Sequence, residues 1–239
     1  MLSLFTYKKN VFFIFFIVLI IDIVIKSIEE TSLLRVFTKS VLILTLVFYC
    51  FANTKYQKKR HFIYVITALA LFWIGDILML FYKTPYLYDA AVICFIIAKI
   101  FYIFRLITNT DFKLSKVLPY LSVLFVYMVF VFSLMYNNFK DHWFYLALTY
   151  LFVGLNVFLF TLLRKNAVNK ASYLWVLYGV IASIISDSIV SLMSFSTLNI
   201  PFGTLAMMFF YGVSQLFIVI GLVEEGKRKY SKTLFESKF

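Results

Sequence analysis

The chain has 239 residues, 63% of them hydrophobic and only 14% charged, with a mean hydropathy of +0.94. A soluble domain carries about 45–50% apolar and about 25% charged residues, so this composition excludes a water-soluble globular protein and points to an integral membrane protein. The net charge of +12 is set by Lys and Arg in the loops, and nucleic-acid binding has no place in explaining it.

A helix that crosses the hydrocarbon core needs about 20 mostly apolar residues. Phe (30) and Tyr (17) are abundant while Gly (7) and Pro (3) are scarce, which suits long helices with few breaks. The roughly ten-residue apolar/polar alternation of a membrane barrel is absent. Eight apolar runs predict eight transmembrane helices, over 11–28, 33–52, 61–82, 86–106, 117–136, 143–163, 172–195 and 203–223. The first run follows Lys8 and Lys9 as a signal peptide would. It lacks a small-residue cleavage site and contains Asp22 and Lys26, so it reads as a membrane helix. Pro85, Pro119 and Pro201 fall in loops or at helix ends in this reading. The connections are short, so the expected fold is an all-α polytopic bundle forming one integral membrane domain over residues 1–239. Cys50 and Cys94 both lie inside apolar runs and read as packing residues rather than a disulfide or metal pair.

Loop charge sets the orientation. One set of segments holds Lys8, Lys9, Lys55, Lys58, Lys59, Arg60, Arg105, Lys113, Lys116, Arg164, Lys165, Lys170, Lys227, Arg228, Lys229, Lys232 and Lys238. The other holds Arg35, Lys83 and Lys140. The split is 17 to 3 and alternates at every crossing, which predicts cytoplasmic N- and C-termini in a cell membrane, with anionic lipid headgroups as partners.

Charged groups at membrane depth cost on the order of 2.5–3.5 kcal/mol each and commonly mark function. They are Asp22 and Lys26 on helix 1, Lys39 on helix 2, Asp76 on helix 3, Lys99 on helix 4 and Asp187 on helix 7. Asp22 and Lys26, four residues apart, share a helix face and can form a structural ion pair. Lys39 either snorkels outward or faces a carboxylate inside the bundle. Asn156 reads as interhelical glue. On helix 7, Ser183, Asp187, Ser191 and Ser194 form a polar stripe that must look into protein or water. On helix 8, Tyr211 and Gln215 share a face. Asp76 and Asp187 lie at similar depth, which permits one shared pocket. A faint echo relates "WIGDILML" to "IISDSIVSL" and "AKIFYIF" to "SQLFIVI", hinting at a 4+4 pseudo-repeat of helices 1–4 and 5–8 that aligns Lys99 with Gln215.

Much chemistry is excluded. The two histidines, His61 and His142, sit at opposite membrane edges, so neither a buried three-His zinc site nor a Ser–His–Asp triad is available. No nucleotide-binding glycine motif occurs. Any intramembrane enzyme built from this chain works with carboxylates, Lys, Tyr and water, without a cofactor or metal.

Five short motifs, in order, resemble the YhhN-type lysoplasmalogenase family of eight-helix membrane hydrolases. They are "FTKSVL" with Lys39, "IGDILML" with Gly75 and Asp76, "AKIFYI" with Lys99 and Tyr102, "ISDSIVSLMSF" with Ser186 and Asp187, and "YGVSQLFI" with Tyr211 and Gln215. The similarity runs from about residue 35 to 222. Two positions depart from the pattern: Ser40 stands where proline is usual, and Lys99 where the family carries histidine. The resemblance implies hydrolysis of the vinyl-ether bond of lysoplasmalogens to a fatty aldehyde and a glycerophosphoalcohol. Asp76 and Asp187 are then the acid/base pair. Lys39 holds a carboxylate ionised or contacts the phosphate, and Lys99, Tyr102, Ser183, Tyr211 and Gln215 support substrate or water. Two rival readings use the same buried charges: a small-solute or ion/proton transporter, and a non-catalytic scaffold whose charges only specify packing.

Overall fold

The computed structural model describes residues 2–28, 33–108, 114–135, 141–195 and 200–236. Eight α-helices dominate these residues: α1 (Lys8–Ile28), α2 (Leu33–Ala52), α3 (Lys59–Met79), α4 (Pro85–Ile107), α5 (Leu114–Met135), α6 (Asp141–Leu163), α7 (Lys170–Phe195) and α8 (Gly203–Glu236). Two short 3-10 turns, Leu2–Thr6 and Thr54–Tyr56, flank the α1–α2 pair, and no strand occurs among the described residues. Seven helices are long and apolar enough to cross a membrane, and α5 carries a shorter apolar stretch, Val117–Val131. The protein is a helical membrane bundle.

The helix ends follow local chemistry. Pro85 stands at the first turn of α4, where its missing N–H is no loss. Pro119 differs from the expectation, because α5 starts at Leu114, before the apolar run, and the proline therefore lies inside the helix. As the sixth residue of α5 it lies past the first turn and removes one backbone hydrogen bond of the helix. At the other end of the chain, α8 continues past its apolar stretch to Glu236.

α8 is the central helix: 67% of its spanning residues are buried, against 22% for α1. Its contact with α7 is backbone-close. A Cβ on Gly179 would meet the Ile218 backbone nitrogen at 2.8 Å, and one on Gly221 would meet that of Val176 at 2.9 Å. Small residues allow such approach in lipid, where dispersion rather than water exclusion drives association. The core around α8 includes Phe15, Leu46, Tyr49, Leu69, Tyr102 and Leu216. α5 lies at the rim, with Val123, Phe125, Val126 and Phe130 exposed toward lipid.

Several polar residues sit otherwise than their sequence suggested. Arg105 and Arg164, counted among the loop charges, are 2% and 0% exposed in the side chain and converge on Glu225 of α8 at 3.1 and 2.6 Å. Asp22 is held from α2: Thr38 donates to it at 2.6 Å, and Arg35 Nε lies 3.9 Å away. Asn156 donates to the Phe152 carbonyl of its own helix at 2.8 Å and makes no interhelical bond among the described residues. Cys50 and Cys94 are free thiols. The side chains of Lys113, Lys116, Lys140 and His142, and of the basic residues from Lys227 onward, lie outside the described residues.

Candidate active site

Asp76 enters the bundle on α3 directly after Gly75. A Cβ on Gly75 would collide with the Phe95 ring, so glycine is what lets α4 close over this turn of α3. The Asp76 carboxylate is 7% exposed and accepts two hydrogen bonds, from Lys39 Nζ of α2 at 3.1 Å and from the Tyr211 hydroxyl of α8 at 3.0 Å. Of the two alternatives for Lys39, the structure takes the inward one.

Asp187 on α7 has a parallel set of partners. Lys99 Nζ of α4 lies 2.6 Å from Oδ2, the Tyr150 hydroxyl of α6 donates to Oδ1 at 2.6 Å, and Ser183, one turn earlier on α7, donates to Oδ2 at 3.4 Å. Each ammonium also sits near the ring of the tyrosine on its own carboxylate: Lys99 is 3.7 Å from the Tyr150 centroid and Lys39 5.9 Å from that of Tyr211. Cation–π attraction of this kind strengthens when water is excluded.

Asp76 and Asp187 line one cavity of about 150 Å³, together with Lys39, Tyr150, Ser191 and Tyr211. Its remaining wall is largely apolar, from Met79, Val92, Phe95, Leu146, Val190 and Met207 among others. The two carboxylates therefore share a chamber, as their similar depth permitted. Lys99, Tyr102, Ser183 and Gln215 stand behind it, around a void of about 10 Å³. Tyr102 donates to Gln215 Oε1 at 2.9 Å with both groups buried, so this pair braces α4 against α8 rather than facing the chamber. Ser186 reaches across to the Met207 carbonyl at 2.9 Å and ties α7 to α8.

Tyr150 was missed by sequence reasoning. It sits in an apolar run of α6 with one faint signal, Gly154 a turn later on the same face. Gly154 packs beside the Lys99–Asp187 ion pair: a Cβ there would lie 3.4 Å from Lys99 Nζ and 3.8 Å from Asp187 Oδ2, in ordinary contact with both. Among the described residues, no cluster of His, Cys, Asp and Glu could hold a metal ion.

A sequence model of the YhhN family matches residues 34–222, which takes in α2 through α8 up to the turn before Glu225 and both carboxylates. The chain belongs to the YhhN family. Searches of curated proteins and of solved structures found no match. The family match spans every motif from "FTKSVL" to "YGVSQLFI", and the Lys39, Asp76, Asp187 and Tyr211 side chains of those motifs line the same chamber.

Proposed function

We propose that this YhhN-family protein is an intramembrane ether-lipid hydrolase that cleaves the vinyl-ether bond of a lysoplasmalogen. The observation that carries the reading is the shared chamber: two carboxylates, Asp76 and Asp187, in one mostly apolar cavity. Vinyl ethers resist base and yield to acid. A proton adds to the outer alkene carbon and leaves an oxocarbenium ion. Water attacks that cation, and the resulting hemiacetal collapses to an aldehyde and an alcohol. The task divides between a proton donor and an anion, as glycosidases divide a related oxocarbenium problem between two carboxyl groups.

The surroundings suggest the division. Asp187 accepts three hydrogen bonds, including one from an ammonium at 2.6 Å, and is the group best furnished to remain an anion. It stabilises the cation, accepts a proton from the attacking water, and passes that proton to the departing glycerol oxygen as the hemiacetal collapses, which restores the anion. Asp76, with two longer contacts, delivers the proton to the alkene and recovers it as the hemiacetal collapses. Tyr211 and Tyr150 orient the two carboxyl groups, and Lys39 and Lys99 balance their charge. No cofactor is needed.

The transporter reading has less support. Each carboxylate is already tied to an ammonium, and α3, α4, α7 and α8 run without interruption among the described residues, whereas discontinuous helices mark many transporter sites. The excess of Lys and Arg on one set of loops supports cytoplasmic termini in a cell membrane. The test is aldehyde release by purified protein in detergent micelles, with a lysoplasmalogen beside its saturated ether analogue. Release from the vinyl ether alone is expected. No release from either, together with ion flux in liposomes, sinks the hydrolase in favour of a transporter.

A further inference from the structure

We infer that a second cavity, on the loop side of the carboxylate chamber, seats the phosphate of a single-chain ether lipid whose chain lies in the chamber itself. The inference rests on the ether-hydrolase reading above. The second cavity encloses about 300 Å³ and adjoins the first, since Lys39, Met79, Tyr88, Val190, Met207 and Met208 line both. The polarity changes across that junction. The inner chamber holds both carboxylates, whereas the charged residues of the outer cavity are Lys26, Arg35 and Lys39, with no carboxylate among its described lining. Glu29 and Glu30, which follow Lys26 in the chain, lie outside the described residues.

The position suits an amphiphile. Lys26 is in the last turn of α1 and Arg35 in the first turn of α2, so both cations stand at a membrane edge, where lipid headgroups lie. Tyr82, Ser194 and Thr204 add hydroxyl groups to the same wall, and Thr204 belongs to the first turn of α8, where the positive end of the helix dipole favours an anion. Arg35 is 4% exposed and held toward Asp22 and the Met208 sulfur, which fixes its guanidinium in place. A planar guanidinium and ammonium groups are the side chains that bind phosphate oxygens. Lys39 stands at the junction, 3.1 Å from Asp76, so an anionic head in the outer cavity and the carboxylate in the inner one compete for one ammonium. A phosphate held at Lys26 and Arg35 places the glycerol near Lys39 and the ether oxygen of the chain beside the carboxylates.

Binding is read separately from turnover. Full-length protein in maltoside micelles is titrated with 1-O-hexadecyl-glycero-3-phosphocholine, with 1-O-hexadecylglycerol and with inorganic phosphate, following tryptophan fluorescence, since Trp143 lines the inner chamber. Both ethers are saturated and cannot be cleaved by protonation. The phosphocholine head has no net charge, so a preference for it is not long-range attraction to a chain of net charge +12. The expected result is roughly tenfold or tighter binding of the phosphocholine ether over the alcohol. Lys26→Gln is expected to cut that ratio severalfold while leaving affinity for the alcohol unchanged. Arg35→Gln should do the same, but it leaves Asp22 short of a partner, so the Lys26 variant decides the matter if the Arg35 variant fails to fold. Equal affinity for the two ethers, or equal weakening of both by Lys26→Gln, overturns the inference. Inorganic phosphate displacing the phosphocholine ether, with no gain in affinity from the chain, assigns the cavity to free phosphate and overturns it too. Phosphate preference without any aldehyde release supports the headgroup seat and removes the hydrolysis, so the two readings fail separately.

Discussion

Lys99 of α4 lies 2.6 Å from Asp187 of α7 and pairs the two halves of the chain at the carboxylate chamber. Tyr211 of α8 makes the reciprocal crossing and donates to Asp76 of α3 at 3.0 Å. Each aspartate is thus held from the preceding helix of its own half, by Lys39 or Tyr150, and from the last helix of the other half. Lysine and tyrosine exchange places between the two sets. The faint 4+4 repeat aligned Lys99 with Gln215; in space, the residue of α8 that plays the matching part is Tyr211, one turn earlier. Gln215 instead receives the Tyr102 hydroxyl.

Asp76→Asn and Asp187→Asn are each expected to lower aldehyde release from a lysoplasmalogen by about 10²–10⁴-fold, the usual contribution of a positioned acid or base. Asn keeps the shape and most of the hydrogen bonds, so both variants should elute as folded protein on size exclusion. Turnover by either variant at the wild-type rate removes it from the mechanism.

Lys99→Met leaves Asp187 without its ammonium in a largely enclosed site. Loss of one partner of a buried ion pair costs about 3–5 kcal/mol. The variant should melt well below wild type in the same detergent, and adding Asp187→Leu should recover much of the loss. A double variant no more stable than Lys99→Met speaks against direct coupling. Lys99→His puts back the residue usual in the family; it is expected to keep or raise vinyl-ether cleavage, read as released aldehyde.

Tyr150→Phe removes one 2.6 Å hydrogen bond to Asp187 and little volume. Hydrogen bonds to charged groups contribute about 1.5–3 kcal/mol to stability, so the melting temperature should fall by a few degrees, while turnover should fall roughly tenfold or more. Steady-state kinetics beside a thermal melt make the comparison, and unchanged kinetics would confine Tyr150 to packing.

Glu225→Gln leaves Arg105 and Arg164 buried without a carboxylate. The loss expected is about 3–5 kcal/mol, seen as a lower melting temperature even though the residue is far along α8 from the chamber. A variant as stable as wild type shows that the guanidinium groups find other partners.

A cysteine tag at either terminus should be labelled by a membrane-impermeant maleimide only after the cells are opened, as the loop charges require. Labelling of a C-terminal tag in intact cells reverses the orientation.

Membrane residence, helix number and near-complete helix bounds were legible in the sequence, because lipid demands about 20 apolar residues per helical crossing and permits only helices or closed barrels, and the chain lacks the alternation of a barrel. Asp76 and Asp187 were legible for the same reason: a carboxylate is costly in such a run and stands out. What stood against them was not. Helical spacing offered Asp22 a partner four residues on, yet the structure holds it from α2, and Asn156 turned back on its own helix. Tyr150 sits among apolar residues with only Gly154 a turn later as a faint local sign, because a tyrosine packs as a ring and only its hydroxyl needs a partner. Arg105 and Arg164 count toward loop charge in one dimension; in three, their meeting at Glu225 depends on how α4, α6 and α8 converge. Hydropathy along the chain determines which segments lie in the membrane. The rotation of each helix about its own axis, which decides whose side chain meets whose, is set by packing between helices distant in sequence, such as the close approach of α7 and α8 at Gly179 and Gly221.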